Sequence, residues 1–576
     1  MDDRTTVEMN KTEETKETNE TKETNETKET IKIKKKILNI KEKSGRERLQ
    51  LAAFAGLVGI TILSLVCFCL FRLEYLMHSD MSAEVILSKL LADENHLISK
   101  NWYYSTEIRI LYSQLIMMPL FKVISDYGTV KLISIFIFYL LLIVAWLYAA
   151  RKLEIRGKWA LLGMALLFTP LSNEYLDMML VGCFYTTQVI CTFFVLGLVL
   201  GKKTEPGQWW RRGTVLAILA FFLGLTGVRF LANLFVPFAV AVGIVLLTEK
   251  IGDIRDPENR KKDSTICNPV SMIGYSSLAL LGLGSAGIGF LVNKFYLAVH
   301  YSFDTTSEFA YVPLSEVPER FLVSFKLMIE FFGYNEAKVL SKCGVINLTK
   351  FAFLIFFAGV VIYLWKHRKD KLNLPERLLL YYFLAEFLIN WYMLVFSEVL
   401  QQYRYWIPIY ITGLLLMGVF FRIYKPEKKV IKAALAFLAA ATIFGSLYGE
   451  LWKAANYNDC AKRYDYVEFL EEKGYTFGYA TFWNASVTEY LTNGKIKVGN
   501  LGGENGKSAP YEWLTPKDYY QKGFHKGKTF LLLARTEEAG MLNGDFTVMP
   551  DGKKVYEDAQ YVIYEGKGMY LFSEEQ

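Results

Sequence analysis

The chain has 576 residues, of which 52% are hydrophobic, 15% aromatic and 21% charged, with a formal net charge of +7. The charges cluster between long apolar runs, which excludes an ordinary soluble domain and places the chain among multi-span membrane proteins. The basic residues form no concentrated basic-aromatic patch, which excludes nucleic acid as a partner.

Residues 1–50 form a cytoplasmic N-terminal segment by this reading. It begins with a six-residue period, TKETNETKETNETKET, almost without apolar side chains. Such a stretch cannot bury enough surface to offset chain entropy and is expected to be disordered. Its start lacks the apolar core of a signal peptide. Residues 32–48 (KIKKKILNIKEKSGRER) then turn basic and suit the cytoplasmic membrane surface.

The membrane domain is expected over 51–448, with about 11 transmembrane helices near 51–71, 129–150, 158–172, 180–200, 213–229, 232–248, 271–292, 350–365, 378–397, 407–421 and 432–448. Several are shorter than the roughly 20 residues a straight crossing needs. Segments 151–158, 202–212, 250–262, 366–377 and 422–432 each carry four or five Lys and Arg, while 172–187 carries none. That asymmetry predicts a cytoplasmic N-terminus and, after an odd number of spans, an extracytoplasmic C-terminus. Outward loops are then expected at 72–127 and 293–349, followed by an extracytoplasmic α/β domain over 449–576. The tail reads as helix YDYVEFLEEKG, strand YTFGYATFW, helix NASVTEYLTN and strand KIKVGNL, with later strands at TFLLLA and QYVIY. It is long enough to fold alone.

The ionisable groups begin directly after the first span, in HSDMSAEVILSKLLADENH at 78–96. A helix over 80–94 places Ala83, Ile86, Leu87, Leu90 and Leu91 on one apolar stripe, as in a helix lying in the interface plane. Asp80 and Glu84 share a face at the edge of that stripe. They read either as a solvated polar edge or as two carboxylates held at the headgroup level. Glu174 and Asp177, in PLSNEYLDMM, occupy a tight turn between two spans, where an acid is either wet or functional. Arg229 in GLTGVRFLANLFVP and Arg404 in EVLQQYRYWIPIY stand beside apolar runs. A guanidinium fork suits phosphate oxygens, and it also snorkels readily. In NWYYSTEIR, Trp102 and Tyr103 fit an interfacial aromatic belt, and with Glu107 and Arg109 they also suit a sugar face.

The seven cysteines show no metal-ligand spacing. Cys343 and Cys460 read as free thiols or as a pair. No GxxxxGK[ST], HExxH or GxSxG occurs. The glycines of GLGSAGIG at 282–289 read as helix-packing positions rather than a nucleotide fingerprint.

This layout resembles the GT-C superfamily of integral membrane glycosyltransferases, which includes the protein O-mannosyltransferases and the bacterial aminoarabinose transferases. The resemblance rests on the early acid Asp80 in HSDMSAE, the continuation NWYYSTEIR, the acids of SNEYLD, the basic aromatic pair of QYRYWIP and a closing outward α/β domain. It covers about residues 50–450, and the tail resembles the accessory domain of bacterial members. The fold class it implies is an α-helical polytopic membrane protein of GT-C type with a C-terminal α/β domain. The activity it implies is a multi-pass plasma-membrane glycosyltransferase, moving a hexosyl or pentosyl group from a polyprenyl-phosphate donor to a cell-envelope glycan, lipid or protein. Asp80 matches the base of an inverting reaction, with Glu84 as a second acid. Arg404 and Arg229 match the cations that bind the donor phosphate. Some relatives use a divalent metal such as Mg or Mn and others none. A single acid stands here where several families carry Asp-Asp or Asp-Glu, which leaves metal use and the role of Glu84 open. The competing readings are a transporter or flippase for lipid-linked glycans and a non-catalytic envelope-assembly protein. The acids lie in loops and the chain shows no convincing repeated halves, against the transporter pattern.

Overall fold

The structure is a computed structural model that describes residues 45, 47–108, 110–201, 206–255, 269–303, 310–334, 341–458, 460–504, 507–521, 523–543 and 552–567. The six-residue repeat and most of the basic segment after it lie outside these residues. The chain divides into two compact units, Met1–Gly59 and Ile60–Gln576. The described part of the first is helical, and every contact given below lies within the second.

In chain order the main helices are α1 (Glu47–Arg72), α2 (Ser79–Glu94), α3 (Tyr127–Lys152), α4 (Lys158–Leu167), α5 (Thr186–Leu200), α6 (Pro206–Leu225), α7 (Val236–Arg255), α8 (Pro269–Val292), α9 (Lys342–Lys366), α10 (Leu374–Phe396), α11 (Ile407–Ile423) and α12 (Lys429–Ser446). Among the described residues eight helices are long and apolar enough to cross a membrane, or nine if a bent pair counts as one span. The expected spans 158–172 and 213–229 correspond to α4, only 10 residues long, and α6; neither belongs to that set.

The bent pair is Asn173–Val181 and α5, which meet at 74°. Leu176–Val181 is a π-helical turn, and Cys183 follows with φ 65. Breaking a helix beside hydrocarbon frees carbonyls that lipid cannot satisfy. Here α3 supplies the donors: Tyr139 Oη donates to the Leu180 carbonyl at 2.7 Å, and the fully buried Lys131 Nζ donates to the Gly182 carbonyl at 3.0 Å. Of the glycines expected to serve packing, Gly282 and Gly289 do so, while a Cβ on Gly284 or Gly287 would meet nothing within 4 Å among the described residues; Gly224 of α6 packs against α8 in the same way as Gly289 does against α6. A Cβ on Gly289 would sit 2.1 Å from the Phe221 carbonyl oxygen, and one on Gly224 would sit 2.0 Å from that of Ala286.

One end of the bundle gathers three of the basic connections. Arg422 Nη1 lies 3.2 Å from Glu154 Oε2, and Arg422 Nη2 also bonds Glu376, which closes a capping box with Asn373.

The tail forms helix α13 (Ala461–Glu472), strand β3 (Phe477–Thr481), helix α14 (Phe482–Leu491), β4 (Lys497–Glu504), β5 (Lys507–Pro510), β7 (Lys528–Ala534), β8 (Lys553–Glu557) and β9 (Tyr561–Lys567). These make one six-stranded sheet in the order β5-β4-β3-β7-β9-β8, with β3 parallel to both of its neighbours. Each strand and helix expected from the sequence is present. Tyr466, Leu470, Ala485, Val498, Phe530 and Ile563 fill the core on one face. Phe477, Leu501, Leu531 and Leu533 fill the other. Cys343 and Cys460 do not form a disulfide with each other, and Cys460 Sγ donates to the Glu74 carbonyl at 3.1 Å.

The tail is keyed into the loops of the membrane portion. Strand β1 (Trp102–Tyr104) pairs in parallel with β2 (Ser302–Phe303) and antiparallel with β6 (Thr515–Pro516) of the tail. Asp518 N–H donates to Asn101 Oδ1 at 3.0 Å, and Tyr127 N–H donates to Asn493 Oδ1 at 2.7 Å. Helix α2 packs against α14 as well as against Gln114–Leu120, and Ser79 Oγ donates to the Phe482 carbonyl at 2.5 Å. This corrects the expected interfacial helix. Ala83, Ile86, Leu87 and Leu91 are buried as expected, but Ser82, Glu84 and Ser88 are buried too. The N-terminal part of that polar side faces protein instead of water, with Glu84 bonded by Ser113 and Ser79 by the tail, while Asp93 further along is exposed.

A second buried polar link fixes the late helices. Lys350 Nζ of α9 donates to Glu450 Oε1 at 2.6 Å, with side chains only 1% and 4% exposed. Removing one member of a buried pair strands the other charge, at about 3–5 kcal/mol, whereas replacing both with apolar groups costs little. Glu450→Leu is therefore expected to lower the melting temperature of the purified protein sharply, and Lys350→Met combined with Glu450→Leu to recover most of the loss. Equal melting of the single and double variants would show that the pair is not coupled.

Candidate functional site

The site begins at the N-terminus of α2. His78 is its N-cap, in extended backbone, and Asp80 stands in the first turn, where the helix dipole favours a carboxylate. Asn95 in the left-handed region (φ 57) ends the helix. Asp80 and Glu84 are one turn apart on one face, as expected. Asp80 is half-buried and Glu84 is buried. Ser113 Oγ donates to Glu84 Oε2 at 3.0 Å.

The acids of the second turn come to meet them. Ser172 caps Asn173–Tyr175 by accepting the Tyr175 N–H at 3.3 Å, and the π-helical turn follows. That geometry brings Asp177 Oδ1 to 3.2 Å from His78 Nε2. The His78 ring also stacks on Phe184, with centroids 6.1 Å apart and planes at 28°. Burial alone would push the imidazole toward its neutral form. The hydrogen bond and charge of Asp177, helped by Asp80, outweigh that cost and hold His78 above its ordinary value of 6.5. His78 Nδ1 is buried with no hydrogen-bond partner among the described residues.

Arg404 approaches the same acids from the turn Tyr403–Trp406. Its Nη1 lies 3.9 Å from Glu174 Oε1 and 3.9 Å from Met178 Sδ. Arg229, at the break between α6 and α7, lies 3.6 Å from Glu107 Oε2 and sits over the Tyr185 ring at 5.3 Å. The approach needs a glycine: Gly227 has φ +130, and a Cβ there would press against the Glu107 carboxyl, 3.2 Å from Oε1. Tyr405, next to Arg404, is close enough to Arg229 to act on it electrostatically. The two arginines therefore belong to one region.

The structure thus brings together Asp80, Glu84, Asp177, Glu174, Arg404, Glu107 and Arg229. It separates Trp102 and Tyr103 from them. Trp102 is fully buried in β1, and Tyr103 faces the tail, 6.3 Å from the Tyr520 ring with Lys517 Nζ over it at 5.1 Å. These aromatics join the tail to the loops. Arg109 lies outside the described residues. Among the described residues no group of three His, Cys, Asp or Glu side chains could hold a metal ion.

Two members of the site were not singled out from sequence. His78 was noted only as part of a charged stretch. Lys131 carried a signal, a lysine inside the apolar run 129–150. An ionisable residue within a span is functional or paired far more often than not.

No protein-family model matches the sequence, and no curated protein matches it significantly. Solved structures do match. ArnT from Cupriavidus metallidurans bound to undecaprenyl phosphate aligns with a TM-score of 0.53 at 12% identity, over 89% of this chain and 97% of that one. The apo state of the same protein gives 0.52 at 11% identity with the same coverage. The Archaeoglobus fulgidus oligosaccharyltransferase, in a complex with Zn and sulfate, gives 0.45 at 13% identity over 84% of this chain and 68% of that one, too distant to compare sites. The likeness to the first two shows the fold: the chain shares the polytopic fold of ArnT and carries a strand-containing domain at its C-terminal end.

The raised pKa of His78 makes a pH-dependent contribution to stability. A proton held more tightly in the folded state stabilises fully below the ordinary imidazole pKa, and the contribution is lost as pH rises through the raised value. The melting temperature of the wild type relative to His78→Gln should therefore be highest in acid and fall as pH climbs above 6.5. Asp177→Asn should flatten that dependence. A difference that grows with pH would assign the opposite protonation state.

Proposed function

We propose that the protein is an inverting membrane glycosyltransferase. It transfers a hexosyl or pentosyl group from a polyprenyl-phosphate donor to an acceptor of the cell envelope. The observation that carries this reading is the convergence of Asp80, Glu84, Asp177 and two arginines at one end of a fold shared with an ArnT bound to undecaprenyl phosphate. The acids suit proton abstraction and the arginines suit a phosphate.

In this reading Asp80 accepts the proton of the acceptor hydroxyl as that oxygen attacks the anomeric carbon. A general base of this kind contributes about 10²–10⁴-fold. His78, bound to Asp177, sets an imidazole with a raised pKa beside Asp80, so that any proton it carries favours the carboxylate form of that acid. The bond to the lipid phosphate breaks as the new one forms, and the phosphate takes up the negative charge. Arg404 and Arg229 stabilise it there, in a site partly shielded from water where such charges act strongly. Glu84, buried and held by Ser113, orients the helix face that carries Asp80.

The test is transfer from polyprenyl-phosphate-linked sugars by the purified chain in lipid nanodiscs. Asp80→Asn preserves size and removes the base, and should cut turnover by about 10²-fold or more, roughly 2.7 kcal/mol in barrier. Arg404→Ala should weaken both donor binding and turnover, since the phosphate is charged before transfer and more so during it. Near-normal turnover by a well-folded Asp80→Asn protein would remove Asp80 from the mechanism.

The same reading puts the site and the tail on the extracytoplasmic side. Support comes from the basic connections that Arg422 ties together away from the tail. In a background with the exposed Cys67 and Cys343 replaced by serine, a cysteine at Lys526 should react with an impermeant maleimide in intact cells. One at Lys369 should react only after lysis. The reverse pattern would invert the topology.

A further inference from the structure

We propose that a small, mainly apolar cavity with a few polar wall groups beside the acid cluster is the subsite that reads one hydroxyl group of the transferred sugar. This rests on the glycosyltransferase reading and names a substrate feature within it. The cavity is about 30 Å³, the space of one water molecule or one hydroxyl. Three parts of the chain wall it: the loop carrying Glu107 and Tyr112, the first turn of α5 with Thr187 and Gln188, and the break before α7 with Arg229.

Two polar atoms of that wall lack partners. Gln188 is 7% exposed, and its Oε1 has no hydrogen-bond partner among the described residues; the buried Thr187 Oγ1 has none either. A buried acceptor left unpaired costs about 1–3 kcal/mol. Such atoms are retained where something else completes them. A carbonyl oxygen and a hydroxyl on residues of one wall suit a sugar hydroxyl, which can donate to Gln188 or exchange a hydrogen bond with Thr187.

The charge of the wall favours a neutral occupant. Arg229 and Glu107 face each other at 3.6 Å and offset one another within the cavity. The volume admits neither a phosphate nor a whole sugar ring, only a substituent projecting from one. The position suits the reacting sugar. Phe184 lines the cavity and stacks on His78, which binds Asp177. Arg229 stands on the same wall, so a sugar whose phosphate lies against that cation has its ring edge beside Gln188.

The experiment uses the full chain in nanodiscs with short-chain prenyl-phosphate hexoses and pentoses, each compared with its single-deoxy analogues. Binding is read as thermal stabilisation, independently of turnover, and transfer as kcat/KM. In the wild type, loss of one particular hydroxyl should reduce affinity and kcat/KM by about tenfold or more. Gln188→Leu should lose that discrimination by weakening the parent sugar to the level of its deoxy analogue. Thr187→Val, a smaller change at a less buried position, should lose part of it, and Gln188→Glu, which keeps the acceptor, should retain it. Unchanged discrimination in folded Gln188→Leu and Thr187→Val proteins, or a water in the cavity of the sugar-bound structure, overturns this subsite and leaves the transferase reading intact. Failure of every prenyl-phosphate sugar to stabilise the wild type or to be turned over sinks both.

Discussion

The hydrogen bond between His78 and Asp177 is the joint on which the site depends. It ties the N-cap of α2 to a helix that is broken at a sharp angle, and so fixes two irregular pieces of backbone against each other. The break would be costly beside lipid. It is tolerated because Lys131 and Tyr139 donate to the carbonyls it frees. With that turn held, Asp177 has one place to point. With His78 bound to it, the first turn of α2 presents Asp80 and Glu84 in one direction.

The tail closes the same arrangement from the other side. Helix α14 covers α2, and β6 completes a small sheet with β1 and β2 from two loops of the membrane portion. Helix α2 is therefore packed between the tail and the segment Gln114–Leu120. Residues of the tail such as Phe482 and Asn493 can influence the site without touching a substrate, through the backbone positions of Ser79 and Tyr127.

Much of this was legible in the sequence. Apolar run length located most spans, and apolar stretches bounded by polar turns located β3, β4, β7 and β9 of the tail but not the short β5 and β6 or the polar β8. The acids and arginines were visible because a charge beside hydrocarbon is expensive and so stands out against an apolar background. What the sequence could not show was which partner each charge has. Helical periodicity placed Asp80 and Glu84 on one face of α2, but the surface opposite them is a tertiary fact, and Ser113 meets Glu84 where the sequence left open a wet edge or a headgroup. The aromatics of NWYYSTEIR illustrate the same limit. Trp102 and Tyr103 have the composition of a sugar platform and the location of a joint, because a strand that seals two parts of a protein uses the same side chains as one that stacks on a ring. The short α4 and the bent pair blurred the span count for a related reason. Hydropathy reads apolar length, and a helix that is folded back or shielded by its neighbours carries that signal without making a straight crossing.

The ion pairs of the molecule divide by length in a way that bears on their roles. Lys350 and Glu450 meet at 2.6 Å, a full charge-assisted hydrogen bond between nearly inaccessible side chains. Arg229 and Glu107 stand at 3.6 Å, and Arg404 and Glu174 at 3.9 Å, both beyond hydrogen-bond distance. A buried pair that only holds helices together gains by closing fully, since each charge has lost its water and must recover the loss from its partner. A pair at a binding site has the opposite requirement. Its carboxylate must keep the guanidinium ionised and roughly in place, yet not occupy the donors that an incoming phosphate needs. The residual Coulomb attraction at such distances meets the first need, and the absence of a direct hydrogen bond to the carboxylate meets the second. On that argument Glu107 and Glu174 hold the arginines in place, and under the proposed function the loose geometry at this end of the bundle leaves their donors open to a phosphate.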